Sequence, residues 1–128
     1  MTRQVIATPR APAAVGAYSQ AIAANGFVFV SGQLGLRPET KQFAGGTVAA
    51  QTEQALLNIA AILQAAGTDM AHVVKATVYL ADIAAFKEMN DVYSAFFPAQ
   101  PPARAAFAVR DLPLGALVEI EAIAVLPG

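Results

Sequence analysis

The chain has 128 residues, of which 56% are hydrophobic and 13% are charged, and its formal net charge is −1. That length predicts one domain over residues 1–128, and the near-neutral charge argues against nucleic acid as a partner, because a protein that binds phosphate backbones carries a basic patch. The absence of cysteine excludes disulfides and thiolate catalysis, and the lone histidine, His72, cannot build a metal site by itself.

Two strand-like runs meet at Asn25-Gly26 in the segment AYSQAIAANGFVFVSGQL. Asn-Gly between apolar runs predicts a β-hairpin, because both residues tolerate the positive φ of a type I′ turn. Tyr18 stands at the start of the first run, where it either packs on a strand edge or lines the rim of a pocket. Ser31-Gly32 closes the second run and marks either a turn or a place where the backbone approaches a ligand.

A helix is predicted over residues 48–66, with Thr47 as its N-cap and Gly67 at its end. The next segment, HVVKATVYLAD, alternates between apolar and polar residues and therefore predicts a strand. The apolar face of this strand comprises Val74, Ala76, Val78 and Leu80.

Asp82 is predicted to cap a second helix over residues 83–97. Asn90 is a polar residue within its otherwise apolar stripe, and such an asparagine usually bonds a neighbouring backbone group. Two further strands are predicted near residues 104–110 and 117–125.

The last predicted strand carries two glutamates, Glu119 and Glu121, on one face, although both of its faces are apolar toward its end. This pattern is typical of a central strand covered on both sides, where an unpaired carboxylate costs several kcal/mol. Each glutamate therefore either pairs with a basic residue, such as Lys75 or Arg110 across an interface, or takes part in chemistry.

Arg104 lies in a run of small residues, PPARAAF, which leaves space around its guanidinium. A planar guanidinium in a roomy, partly dry site suits two-point binding of a small carboxylate. An ion pair with a glutamate explains the same residue equally well.

The predicted elements follow the order ββαβαββ, which places the chain in the α+β class, with helices on one face of a mixed sheet. Such a sheet leaves its other face open, and a chain of this size cannot bury its apolar excess alone. No uncharged apolar run approaches the roughly 20 residues of a membrane-spanning helix, and no signal-peptide core is recognisable near the N-terminus. We therefore expect a cytoplasmic homo-oligomer with no membrane contact.

These segments together resemble the Rid (YjgF) family of reactive-intermediate deaminases, the 2-iminobutanoate/2-iminopropanoate deaminases. The resemblance runs nearly from end to end through GAYSQAI, VFVSGQLGL, NIAAILQAAG, VVKATVYLAD, FKEMNDVYSAFF, PPARAAFAV and VEIEAIAV, and PPARAAF with EIEAIAV is specific. It implies a chorismate-mutase-like fold that assembles as a homotrimer, with active sites in clefts between subunits.

The resemblance also implies a role for each candidate residue. Arg104 would clamp the carboxylate of a small imino acid, and Glu119, expected on a neighbouring strand, would hold and activate a water. Tyr18, Ser31, Gly32 and Asn90 would line the pocket, and the backbone carbonyl of Ala106 would accept a hydrogen bond from the imine nitrogen. An imine conjugated to a carboxylate is already electrophilic, so orientation, a water and a proton shuttle suffice, with no cofactor and no metal. Water adds to carbon, ammonia leaves and a 2-keto acid remains.

Two residues depart from the family pattern. Ala17 replaces a common proline before Tyr18, and Ala106 stands where many bacterial members have cysteine, although the expected contact there is made by backbone.

Other functions stay open. Hydrolysis of 3-aminoacrylate in pyrimidine breakdown is one alternative, and a non-catalytic trimeric ligand-binding or chaperone-like module is another. A ribonuclease fits least, because the chain lacks a stripe of aromatic and basic residues.

Overall fold

The computed structural model describes residues 2–128, which contain six strands and two α-helices. The strands are β1 (Arg3–Ile6), β2 (Ala21–Ala24), β3 (Phe27–Leu34), β4 (Val73–Leu80), β5 (Ala103–Ala108) and β6 (Val118–Val125), and the helices are α1 (Val48–Ala66) and α2 (Phe86–Ala95). One sheet contains the strands in the order β1-β2-β3-β6-β4-β5. β4 and β5 run parallel and the other neighbours run antiparallel, which confirms a mixed sheet in an α+β fold.

The predicted hairpin joins β2 to β3 through Asn25 and Gly26, whose φ angles of 54° and 82° fit a type I′ turn. The structure adds β1, which pairs with β2 and which the sequence pattern does not predict. Three residues of β1 are exposed and Ile6 is buried. The segment therefore lacks the regular alternation by which a half-buried strand is recognised.

The first helix, α1, covers the predicted residues 48–66. The Thr47 hydroxyl accepts the N–H of Ala50 at 3.1 Å, and Gly67 adopts a left-handed φ of 92° at the other end. Leu56, Ile59 and Leu63 of the predicted stripe are buried. Both ends of the helix are set by residues close in sequence, so its bounds were predictable.

The second helix is shorter than predicted. Residues Ile83–Ala85 form a 3₁₀ turn, in which the Asp82 carboxylate accepts the N–H of Ala84 at 2.9 Å. The α-helix then covers Phe86–Ala95 rather than the whole of 83–97. Asp82 is thus a cap as predicted, but of the 3₁₀ turn that precedes the helix.

The two helices pack on one face of the sheet and leave the other face open. On β4, Val73 is buried and Val74 is exposed, contrary to the predicted face, because the pairing with β6 shifts register between Val73 and Lys75. On the open face, Phe27, Phe29 and Phe107 are 37%, 44% and 46% exposed. Among residues 2–128, no helix has the length and apolarity needed to cross a membrane.

Candidate functional site

Glu119 lies against the backbone of Gly32 on the open face of the sheet. It is half-buried on β6, directly opposite Leu34 of β3. The pairing of β3 with β6 shifts register between Val30 and Gln33, and this irregularity contains Gly32. A Cβ atom at position 32 would overlap the Glu119 carboxylate. Glycine is therefore required at this position if the carboxylate is to occupy its place.

A cavity of about 680 Å³ opens beside Glu119. Four of the predicted site residues line it: Tyr18, Ser31, Gly32 and Glu119. The Ser31 hydroxyl donates to the Ser19 carbonyl at 2.6 Å, which ties β3 to the preceding loop. Tyr18 is 52% exposed, and its hydroxyl accepts the N–H of Val15 at 3.4 Å. The phenol therefore lies at the rim of the cavity.

A phenol and a second carboxylate adjoin Glu119. Tyr79 lies opposite Glu119 in the β4–β6 pairing, and its hydroxyl donates to Glu121 Oε1 at 3.0 Å. Burial raises the pKa of Glu119, and the charge of Glu121 raises it further. Burial also raises the pKa of Tyr79, and the hydrogen bond to Glu121 adds to that effect. A carboxyl group with a raised pKa is better suited to exchange a proton near neutral pH.

Neither Glu119 nor Glu121 forms an ion pair with any residue from 2 to 128. Within one chain, the expected basic partners Lys75 and Arg110 are therefore not used. The phenol binds Glu121 instead, and Arg110 lies 3.7 Å from the Asp111 carboxylate in an exposed pair. Pairing of a glutamate with a base across an interface stays a prediction.

Arg104 is held on the other side of the sheet by α2. It lies opposite the buried Ala76 of β4, so its side chain points toward the helices. Its Nη1 donates to Asn90 Oδ1 at 2.6 Å, and its guanidinium carbon lies 5.4 Å and 4.8 Å from the ring centroids of Phe86 and Tyr93. Asn90 thus binds this guanidinium through its side chain. Within residues 2–128 of one chain, Arg104 pairs with this amide and does not form the ion pair with a glutamate that was the alternative.

In one chain, Arg104 and Glu119 lie on opposite faces of the sheet, with β4 between their strands. The prediction that they come from neighbouring strands is wrong, because β5 pairs in parallel with β4 and forms the edge of the sheet. Ala106 lies opposite Val78 and shares the face of Arg104. The candidate residues thus form two half-sites. The acidic half-site comprises Tyr18, Ser31, Gly32 and Glu119, and the arginine half-site comprises Asn90, Arg104 and Ala106.

Three aromatic residues adjoin the half-sites without having been predicted there: Tyr79, Phe86 and Tyr93. Phe86 and Tyr93 lie two turns apart on the helical stripe that also contains Asn90, but a stripe of aromatic residues is typical of core packing. The position of Tyr79 beside Glu119 depends on the register of β4 with β6, which no local pattern indicates.

Buried amide side chains fix the loops around the acidic half-site. The Gln20 side-chain amide donates to the Pro12 carbonyl at 2.8 Å, and that of Asn58 on α1 donates to the Leu36 carbonyl at 2.9 Å. Both accepting residues line the cavity beside Glu119, so its walls are tied to the core. The part of the chain that the structure describes holds no cluster of His, Asp and Glu residues that would bind a metal ion.

Comparison with known proteins gives a consistent result over nearly the whole chain. The model of the family described as Endoribonuclease L-PSP matches residues 8–126. A curated relative from Arabidopsis thaliana, the chloroplastic Reactive Intermediate Deaminase A, is 53% identical over 97% of this chain and 66% of its own length. The Bos taurus 2-iminobutanoate/2-iminopropanoate deaminase is 53% identical over 98% of this chain and 91% of its own.

The fold is also similar to that of a solved structure. A crystal structure of a putative endoribonuclease L-PSP from Entamoeba histolytica superposes with a TM-score of 0.95 at 50% identity, over 98% of this chain and 100% of that one. The chain spans just under two thirds of the Arabidopsis relative's length, whereas it spans nearly all of the bovine relative and of the Entamoeba structure.

Proposed function

The chain belongs to the Endoribonuclease L-PSP family, and on that premise we propose that it is an imine deaminase, which hydrolyses 2-iminobutanoate and 2-iminopropanoate to 2-keto acids and ammonia. The bovine relative bears the name of that activity. The observation that carries the proposal is the set of contacts around Arg104, whose guanidinium is held by one amide and two aromatic rings. Its hydrogen bond to Asn90 uses one of five N–H donors, and a small carboxylate is the ligand that the others fit.

We propose that copies of the chain assemble as a homotrimer, in which the acidic half-site of one copy faces the arginine half-site of the next. The placement of the half-sites on opposite faces of one sheet supports this assembly, because a ring of copies brings different surfaces together at each interface. Phe27, Phe29 and Phe107 on the open face also favour contact between copies. Residues 1–128 are a single domain in this proposal, since one core cluster extends from Ile6 to Ala124.

In the proposed reaction, Arg104 binds the substrate carboxylate through two parallel N–H···O bonds. Glu119 takes a proton from a water whose oxygen adds to C2 of the protonated imine. Glu119 then returns that proton to the nitrogen of the resulting carbinolamine. The C–N bond breaks as the regenerated Glu119 carboxylate takes the hydroxyl proton, so that a 2-keto acid and ammonia form, and Glu119 passes that proton to the ammonia, which leaves as ammonium. The Ala106 carbonyl accepts a hydrogen bond from the imine nitrogen, while Tyr18, Ser31 and Gly32 line the pocket. The reaction needs no cofactor or metal.

The family's description names an endoribonuclease, but the charges around the acidic half-site favour a small substrate over RNA. Asp111, Glu119 and Glu121 all line one cavity of about 320 Å³. Three carboxylates there repel a phosphate backbone, and a chain with a net charge of −1 offers little to offset that repulsion.

The activity is tested by generating the two imines in situ with an amino-acid oxidase and following the formation of the keto acids. We expect the protein to accelerate that formation above the uncatalysed rate. If the protein does not accelerate keto-acid formation at concentrations that preserve the oligomer, the proposed function is contradicted.

The shared site is tested by mixing two impaired variants, Arg104→Ala and Glu119→Gln, under conditions in which subunits exchange and at substrate concentrations well below KM, where each variant alone is slow. If each site combines Arg104 of one copy with Glu119 of the next, a random equal mixture regains about a quarter of the wild-type activity, because one site in four receives both intact residues. A mixture that gains no activity after exchange would show that both residues act within one copy or in separate sites.

A further inference from the structure

Two aromatic rings adjoin the arginine half-site and contact Arg104, but the proposed reaction assigns them no role of their own. We propose that Tyr93 and Phe86 are positioning residues, whose rings hold the Arg104 guanidinium in the orientation that receives the substrate carboxylate. This inference rests on the proposed function for the identity of the ligand, a small 2-keto or 2-imino acid. The contacts that carry it are all made within one chain.

The geometry of the three groups around the guanidinium supports this role. The guanidinium carbon lies 4.8 Å from the ring centroid of Tyr93 and 5.4 Å from that of Phe86, both within the range of a cation–π contact. Asn90 Oδ1 accepts from Nη1 at 2.6 Å and so fixes the rotation of the guanidinium in its plane. The rings do not consume N–H donors, so four remain for a carboxylate.

The principal ring is itself immobilised by packing. Tyr93 is 3% exposed, and its ring centroid lies 4.8 Å from that of Phe97. Arg104, by contrast, is exposed on an edge strand of the single chain, where a long side chain would otherwise sample many rotamers. A fixed ring beside a mobile cation reduces the entropy that is lost when the ligand binds. A cavity of about 380 Å³ lined by Asn90, Tyr93 and Arg104 gives a small ligand access to the guanidinium.

The Tyr93 hydroxyl separates the effect of the ring from that of the polar group. It is buried and has no hydrogen-bond partner among residues 2–128. Removal of an unpaired buried hydroxyl is close to neutral for stability, or favourable. Tyr93→Phe therefore retains the ring beside Arg104 and serves as the conservative variant against Tyr93→Leu, which removes the aromatic face.

The test measures binding of 2-oxobutanoate, the stable keto-acid product, to the assembled protein by isothermal titration calorimetry, together with KM and kcat for imine hydrolysis. We expect Tyr93→Leu to raise Kd and KM by about fivefold to twentyfold and Phe86→Leu by about twofold to tenfold, with kcat changed less. Tyr93→Phe keeps the wild-type Kd. Met89→Ala, which truncates a different buried residue of α2, lowers the melting temperature without changing Kd.

Several outcomes would overturn the inference. It fails if folded Phe86→Leu and Tyr93→Leu bind 2-oxobutanoate as tightly as the wild type, or if Tyr93→Phe loses as much affinity as Tyr93→Leu. It also fails if the wild-type protein does not bind the keto acid. A wild-type protein that binds 2-oxobutanoate but does not accelerate imine hydrolysis refutes the proposed activity alone, and the Kd values of the variants then still decide the role of the rings.

Discussion

The arginine and acidic half-sites surround opposite charges with different neighbours. Around Arg104, an amide oxygen and two ring faces all complement a cation. Around Glu119, burial and the charge of Glu121 both disfavour the ionised form and raise its pKa. This difference fits the two roles in the proposed reaction, in which Arg104 stays charged to bind the substrate and Glu119 exchanges a proton with water.

The largest effect is expected at the acidic half-site. Glu119→Gln preserves the size of the side chain but removes the base, so kcat should fall by about 10²–10⁴. Because the folded-state pKa of Glu119 is raised, the stability that this group contributes is fully present below its unfolded pKa and is lost as pH rises through the folded pKa. A neutral glutamine avoids that loss, so the melting temperature at pH 7 should equal or exceed that of the wild type.

The control for Glu119→Gln is the same substitution at Glu53, an exposed residue of α1, which should change neither rate nor melting temperature. A Glu119→Gln variant that keeps its rate would remove the acidic half-site from the chemistry. A variant that loses both rate and stability would mean that the carboxylate has a structural partner, such as a base across an interface.

At the arginine half-site, we expect a smaller loss that appears in substrate binding. Arg104→Ala should lower kcat/KM by about 10-fold to 100-fold, chiefly through KM, because it removes charge-assisted bonds to the carboxylate. Arg104→Lys should recover little, since a point charge cannot form the two-point contact. Arg3→Ala is the matched control, because Arg3 is an exposed residue of β1 that lies outside both half-sites. Loss of kcat alone in Arg104→Ala would contradict the assigned role.

The backbone beneath Glu119 offers a third comparison, between two glycines. Gly32→Ala places a methyl group where the Glu119 carboxylate lies, so we expect a loss of activity of about tenfold or more and a loss of stability of about 1–3 kcal/mol. Gly46→Ala meets no atom within 4 Å and should be neutral in both measurements. Denaturant unfolding and the imine assay measure the two effects. Equal behaviour of the two variants would mean that Gly32 does not constrain the carboxylate.

Local signals in the sequence predicted the elements that carry these half-sites. Thr47 and Gly67 delimit α1 because each cap is set by residues within one helical turn. Asn25-Gly26 predicted the hairpin for the same reason, since positive φ at both positions is a local requirement. The short strand β1 escaped prediction because its stability depends on pairing with β2 rather than on a pattern of its own.

The relative placement of the half-sites was not predictable from local patterns. Arg104 and Glu119 were both recognised as unusual charges in apolar segments, but their separation depends on the insertion of β4 between β5 and β6. That order arises from long-range pairing, which leaves no trace in the alternation of a single strand. The hydrogen bond from Tyr79 to Glu121 depends on the same register and was not predictable for the same reason.

The smallest effect on rate is expected from Glu121→Gln, which should instead change the pH dependence. The charge of Glu121 contributes to the raised pKa of Glu119, so its removal lowers that pKa. Because ionised Glu119 accepts the proton from water in the proposed reaction, the acidic limb of the profile of kcat/KM against pH should move to lower pH. The rate on the plateau should change by less than about threefold. Glu121 is exposed and bound by a phenol rather than by a buried cation, so the melting temperature should also change little.

Tyr79→Phe is the matched control for Glu121→Gln, because it removes the hydrogen bond to Glu121 but leaves both carboxylates in place. If the charge of Glu121 acts on Glu119, Tyr79→Phe leaves the acidic limb near its wild-type position while Glu121→Gln moves it.

The titratable groups that line the cavities beside Glu119 are Tyr18, Lys41, Tyr79, Asp111 and Glu121. Asp111→Asn should therefore be profiled in parallel, to separate the charge of Glu121 from that of the other acid. A limb that moves equally in Tyr79→Phe and Glu121→Gln would assign the effect to the hydrogen bond. If the acidic limb moves in none of the three variants, burial alone is the cause of the raised pKa of Glu119. The packing of the Glu119 carboxylate against Gly32 would then be the feature that sets this pKa.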